Sequence, residues 1–283
     1  MVATEERSDA YDILIVYEGP QMRPRILIIA SLAICGFLTV VHAQRSYMPF
    51  NDGDSPAPLP PDANEKTEWA FARLIYPSES FFGQSGYWTI DSPKADRQFS
   101  LGVRRLTRIH TRSKEEFVSL EGDDIFKWPW LYAVETGHWT LSDENCKKLR
   151  EYLLRGGFLM TDDFHGAEEW EVFMAGINRI FPDRPVVEIE NKDAIFHVLY
   201  DLDERVQVPG IVNYPFHQTS EHGGRDPHWR AIYDDRGRIM VAICFNQDNG
   251  DAWEWADSPH YPEKFTSQAY RTGINYIIYS MTH

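Results

Sequence analysis

Cysteine is scarce in this chain, three in 283 residues, too few for a disulfide-dense scaffold. Positive charge is short as well: 28 Lys and Arg stand against 43 Asp and Glu, a net charge of -15. That deficit argues against sequence-independent nucleic-acid binding, whose affinity comes from cations neutralising phosphates, and gives no general attraction to anionic lipid. A basic or neutral partner is expected instead. Also missing are Gly-x-Ser-x-Gly, Gly-x-Cys-x-Gly, the glycine patterns that cradle phosphates, His-Glu-x-x-His and paired Cys-x-x-Cys. Without them no Ser or Cys nucleophile, cofactor or tight metal signature stands out, and no cofactor is expected.

Long apolar runs are equally rare, and the clearest lies near the start. Met22-Arg-Pro-Arg precedes Ile26 to Val41, apolar except for Ser31 and Thr39, and Val41-His42-Ala43 follows. A basic start, a run shorter than the roughly 20 residues of a membrane span and a small-x-small ending read as a secretory signal. Cleavage after Ala43, with translation starting at Met22, is the preferred expectation. Residues 1–21 are then an extension that is not translated. The alternative is an uncleaved anchor that attaches the protein to the membrane through Ile26 to Val41. Either way the rest is expected outside the cytoplasm, in the periplasm or its equivalent. Cys35 follows the bulky Ile34, a poor site for lipidation. Residues 44–65, with five prolines and no apolar period, read as a tether, and residues 66–283 as one folded domain.

Within that domain strand and helix patterns alternate, which predicts an α/β fold: a flavodoxin-like, mostly parallel sheet with helices on both faces and right-handed crossovers. The best-marked unit runs from Leu141 to Gly166. Ser142 is a helix cap, Asp143 and Glu144 suit the positive first turn, Cys146, Leu149, Tyr152 and Leu153 share a face, and Gly156 stops the helix. Phe158 to Met160 then reads as a strand buried on both faces. Trp69 to Tyr76, Phe117 to Leu120, Trp130 to Glu135 and Val186 to Ile189 read as further strands. Ser92-Pro93 opens a helix carrying Phe99, Val103 and Leu106, with Arg104, Arg108 and Arg112 expected along one solvated face. Trp170, Phe173, Met174, Ile177 and Phe181 stripe another helix that Pro182 stops. A C-terminal hairpin, Trp229 to Tyr233 with Arg238 to Phe245, precedes a helix over Glu263 to Met281 burying Tyr270, Ile274, Ile277 and Met281. Cys146 and Cys244 fall inside a helix and a strand and are expected to be buried free thiols.

Ligands of open α/β sheets bind beyond the carboxyl ends of the strands. Four loops with functional side chains leave such ends: Pro77 to Trp88 with Glu79, Ser80 and Ser85; Glu135 to Trp139 with His138; Asp162 to His165; and Asn246 to Trp255 with Asp248, Asp251, Trp253 and Glu254. Adjacent strand residues point to opposite faces, so of Asp162 and Asp163 the second is chosen for the pocket. It could work as acid or base with His138 or His165. The competing expectation is that one of the pair caps the helix beginning near Ala167. Asp251-Ala-Trp-Glu-Trp suits sugar stacking by Trp253 and Trp255, or a loop anchor. Pro209 to Pro227 reads as a surface lid, and His217, His222 and His228, with Glu221, are weak candidates for zinc.

Thr136-Gly137-His138-Trp139, the helix ending Leu149-Arg-Glu-Tyr-Leu-Leu-Arg-Gly-Gly, the strand end Phe158-Leu-Met-Thr-Asp-Asp-Phe-His-Gly and the terminal Arg271-Thr-Gly-Ile-Asn-Tyr-Ile-Ile-Tyr-Ser-Met-Thr-His resemble the bacterial family called domain of unknown function 4159. The resemblance covers about Trp69 to His283. It implies a fold similar to class I glutamine amidotransferases and no established activity. In amidotransferases of that fold a nucleophilic cysteine sits on a sharp turn after a strand. The segment that looks equivalent, Met160 to Gly166, has Asp163 or Phe164 there and no cysteine. Relatives encoded beside von Willebrand A-type proteins and MoxR-type ATPases imply an accessory role at the envelope. Two expectations follow: a noncatalytic binding or assembly domain for a protein or glycan partner, or a hydrolase using Asp163 with His138, His165 or Glu254, with or without a metal.

Overall fold

Several short apolar runs of the described residues lie side by side as strands. The structure, a computed structural model, describes residues 59–78, 86–216 and 218–283. In chain order the strands are β1 (Ala72–Ile75), β2 (Glu116–Ser119), β3 (Trp130–Val134), β4 (Phe158–Asp162), β5 (Val187–Glu188), β6 (His228–Tyr233) and β7 (Ile239–Phe245). The helices are α1 (Lys94–Leu106), α2 (Asp143–Leu154), α3 (Gly166–Ile180), α4 (Asn249–Glu254) and α5 (Glu263–Thr282). Among the described residues the strands form one sheet in the order β2-β1-β3-β4-β7-β6-β5. The first five run parallel; β6 turns back on β7 and the two-residue β5 pairs antiparallel at the edge. This is the flavodoxin-like α/β arrangement, with a hairpin completing it.

β3, β4 and β7 are buried along their whole length. They show no apolar alternation because both faces are covered. On one side Trp130, Tyr132, Phe158 and Met160 pack with Phe99 and Val103 of α1 and with Ile274 and Ile277 of α5. On the other, Leu131, Ala133 and Leu159 pack with Leu149 and Leu153 of α2 and with Phe173 and Ile177 of α3. Cys146 and Cys244 are buried free thiols.

Local chemistry sets the boundaries. α2 opens with a reciprocal pair, Ser142 accepting from the Asn145 N–H while Asn145 accepts from the Ser142 N–H. It closes at Gly156, whose φ of 106° suits glycine. α1 begins one residue later than the Ser-Pro pair suggests and ends at Leu106, because Thr107 is extended. The arginine stripe is therefore not one helix face. Arg104 donates to Asp62 and the Thr111 carbonyl, and Arg112, beyond the helix, pairs with Glu116. Asp62, inside the segment assigned to the tether, also accepts from Ser113, and Ala63 is buried. In α5 Ile274 and Ile277 are buried as expected, whereas Met281 is exposed and Tyr270 only partly covered.

One buried ion pair positions the loop after β1. Arg73, fully buried on β1, donates through Nε to both carboxylate oxygens of Asp96 at 3.0 and 3.1 Å. Its Nη1 donates to the Trp88 and Ile90 carbonyls at 3.1 and 2.9 Å, which fixes the chain just before Asp91. No helix of the described residues is long and apolar enough to cross a membrane; Ile26 to Val41, like the proposed cleavage site, lies outside them.

Candidate functional site

Three adjacent parallel strands, β3, β4 and β7, run out into left-handed residues that are not glycine: Glu135 (φ 52°), Asp163 (φ 54°) and Asn246 (φ 58°). Backbone hydrogen bonds link these turns in series. The Glu135 N–H donates to the Asp162 carbonyl at 3.0 Å, Asp163 N–H to Gln247 at 3.0 Å, and Asn246 N–H to Phe164 at 3.1 Å. Among the described residues the other non-glycine positions with positive φ are Asp91 and His222. Asp91, Glu135, Asp163 and His222 all line one cleft at the carboxyl edge of the sheet. Such conformations cost on the order of 1–3 kcal/mol each and gather where a fold holds side chains for function.

The paired aspartates divide their work. Asp162 is fully buried and accepts from the Tyr132 hydroxyl (2.9 Å), Asn249 N–H (2.9 Å), Asn249 Nδ2 (2.7 Å) and Gly250 N–H (3.0 Å). Burial still raises it to about 7 against those bonds. It therefore caps the first turn of α4, not the helix after β4 that the sequence suggested. That helix, α3, has His165 at its N-cap position, and its Gly166 N–H is taken by Asn246 Oδ1 at 3.0 Å. Asp163, 7% exposed, turns into the cleft, with Oδ1 3.0 Å from His165 Nε2.

The cleft, about 590 Å³, is walled by seven carboxylates: Asp91, Glu135, Asp163, Glu221, Asp248, Asp251 and Glu254. Its described lining includes no Lys or Arg. Burial first, and then one another's charge, hold Asp91, Glu135, Asp163 and Asp248 well above the usual carboxylate range. Asp251 is raised for the same reasons, and Glu254 reaches about 7. Some oxygens are spoken for: Asp248 Oδ1 caps Asp251 N–H at 2.7 Å, and Asp251 accepts from Ile211 N–H at 2.6 Å and from Trp255 Nε1 at 3.1 Å. Asp91 Oδ2 is buried with no hydrogen-bond partner. Gly210, Ile211, Val212 and Asn213 with Gln218, Ser220, Glu221 and His222 complete its lining, so described residues of the Pro209 to Pro227 stretch border it. Gly210 permits the approach, since a Cβ there would stand 2.4 Å from Glu221 Oε1 and 2.9 Å from Asp248 Oδ2.

Beside Asp163 the chemistry changes to imidazole. His138 stacks on Tyr87, ring centroids 3.8 Å apart and 10° from parallel. Its Nε2 lies 3.5 Å from Glu135 Oε2 and 3.7 Å from Glu169 Oε1. Glu169 Oε2 accepts from the His165 N–H at 2.6 Å, and His222 Nδ1 bonds to Oε1. Burial raises Glu169, but its hydrogen bonds to the histidines outweigh that and leave it below its ordinary value. Burial lowers His165.

The matching family model is described as Domain of unknown function (DUF4159) and covers residues 70–281. The chain belongs to this family. No curated protein matches it.

Of the residues singled out in sequence, this DUF4159 domain brings Asp163, Asp248, Asp251, Glu254 and Trp255 to one cleft, with His138 and His165 beside it. Trp253 is not at the surface: it is fully buried against Phe99 and Tyr132, an anchor rather than a stacking platform. Of the three histidines put forward for zinc, His217 lies outside the described residues. His228 sits on β6, bonded to Glu188 at 2.6 Å and stacked on Phe245. Glu79, Ser80, Ser85 and His217 lie outside the described residues. Asp91, Glu135 and Glu169 were missed as site residues. For Glu169 a signal existed, its place one helical turn after His165.

Proposed function

We propose that this DUF4159 domain is a noncatalytic binding domain acting in assembly at the cell envelope, exported or held there through Ile26 to Val41. Its cleft takes a cationic group of a protein or glycan partner. The observation that carries this reading is seven carboxylates facing one cleft whose described lining offers no Lys or Arg. Crowded buried carboxylates ionise reluctantly, and an ammonium or guanidinium placed among them lets several ionise at once. The neighbourhood that in the amidotransferases it resembles would carry the cysteine holds Asp163 or Phe164 and no cysteine. The basic leader and small-x-small boundary support export.

Calorimetric titration with a Lys- and Arg-rich peptide and with a glucosamine oligomer tests this. Salt-sensitive binding to at least one, weakened about tenfold or more (about 1.4 kcal/mol) by Asp163→Asn or Asp248→Asn, is expected. Equal affinity in the variants would refute the reading.

A specific contact favours a second reading, the hydrolase. Asp163 stands on a strained turn with His165 at 3.0 Å, and Glu254 titrates near 7, suited to general acid or base work. Turnover on any ester, amide or glycoside panel that disappears in Asp163→Asn would move the assignment from binding to catalysis, with His138, His165 or Glu254 assisting.

A further inference from the structure

We infer that Glu135, His138 and Glu169 form a site for a divalent transition metal of the zinc class, which shares Glu135 with the wall of the carboxylate cleft. One donor atom from each, an imidazole nitrogen and two carboxylate oxygens, lies within 4.8 Å of the others. The separations of 3.5 and 3.7 Å from His138 Nε2 to the two oxygens are long for hydrogen bonds. They approach the edge of about 3.4 Å of a tetrahedron whose ligands stand roughly 2.1 Å from zinc. His222 already bonds Glu169 Oε1, and a dication at this place would bring that oxygen, Glu135 Oε2 and the His138 imidazole into one shell. Two carboxylates and a neutral imidazole balance its charge.

The donors are held from behind, as metal ligands require. Tyr87 fixes the His138 ring by stacking. The His165 N–H occupies Glu169 Oε2, while Oε1 bonds His222 Nδ1 and stands 3.7 Å from His138 Nε2. Gly137 lets the Glu169 stem pack closely, since a Cβ there would sit 2.4 Å from Glu169 Cβ.

An independent observation comes from His165. It is 3% exposed, its Nε2 is engaged by Asp163, and its Nδ1 is buried with no partner. His165 lines the cavity it shares with His138, Glu169 and His222. When Asp163 accepts the Nε2 proton, Nδ1 presents a lone pair, the arrangement in which a carboxylate prepares an imidazole to ligate. His222, bonded to Glu169 Oε1 from the overlying loop, closes the site. Imidazole nitrogen selects zinc, cobalt, nickel or copper over calcium and magnesium.

Titration of the chelator-stripped full chain with Co2+ alone tests this. One equivalent should give visible d–d absorption of low-coordinate cobalt, displaced by Zn2+. His138→Ala and Glu169→Gln should each weaken binding about tenfold or more, while His228→Ala should not change it. Circular dichroism of the metal-free variants reports whether they fold; Glu169→Gln keeps the shape and an oxygen for the His165 N–H, so it remains informative if His138→Ala does not fold. No stoichiometric binding, binding unaltered in folded Glu169→Gln, or binding that depends on Asp248→Asn alone would overturn the site. Because metal alone is the probe, loss of peptide or glycan binding leaves this result untouched.

Discussion

Arg73 with Asp96 and the carboxylate cleft both bury charge near the carboxyl edge of the sheet, and they do so in opposite ways. The first is closed: one guanidinium meets one carboxylate twice and two backbone carbonyls besides. In the second, Asp91, Asp163 and Asp248 face further carboxylates and no described Lys or Arg lines the space. The same chain can thus neutralise buried charge where the fold needs it. A few residues away, the described lining of the cleft sets carboxylate against carboxylate instead.

The sharpest way to break this comparison is Arg73→Met. It strands Asp96 and two carbonyls, and should cost about 3–5 kcal/mol in urea unfolding; a loss below about 1 kcal/mol would mean the pair is not what holds the loop before Asp91. Gly210→Ala comes next. Its methyl meets the carboxylate ends of Glu221 and Asp248, which must swing aside; this should cost about 1 kcal/mol and lower affinity for the cationic ligand, read by calorimetry.

The pH dependence separates the two regions further. Carboxyls raised in the folded state stabilise most below their unfolded value of about 4, and that stabilisation is lost as pH rises through their folded values. Asp91, Glu135, Asp163, Asp248 and Glu254 are all raised, Glu254 to about 7. The melting temperature should therefore fall between about pH 5 and 8, and saturating cationic ligand should reduce the fall. Glu169, which is lowered, opposes this only at acid pH. A melting temperature that rises across the same interval would contradict the cleft's charge state. The smallest expected effect is a gain: Asp163→Asn removes one unmatched charge and should raise stability at pH 8 by about 1 kcal/mol, while the same change weakens binding.

Sequence reading reached the α/β class because its signals are local. Ser142, Gly156 and the apolar Phe158 to Met160 act within a few residues of themselves. The paired aspartates were half legible: period-two alternation separates Asp162 from Asp163, but the helix that Asp162 caps begins 87 residues later at Asn249. No local pattern carries that. The arginine spacing misled because Thr107 ends α1 early, and the histidine spacing does not show that His228 opens β6. Asp91 reaches the cleft only through Arg73 holding the Trp88 and Ile90 carbonyls, and Glu135 only through its left-handed turn, so neither is visible without tertiary contacts.

The carboxylate cleft draws its wall from Asp91 at one end and Glu254 at the other, with strands β3, β4 and β7 between. Its contacts are almost all distant in sequence, the kind that close late in folding. No early fragment of the chain completes it, because Gly210 and Glu221 come late and the α4 wall follows the last hairpin. Occupancy of the cleft is for that reason a report on completed folding: a partner that recognises it can distinguish a finished domain from a partial one, and by mass action favours the finished one.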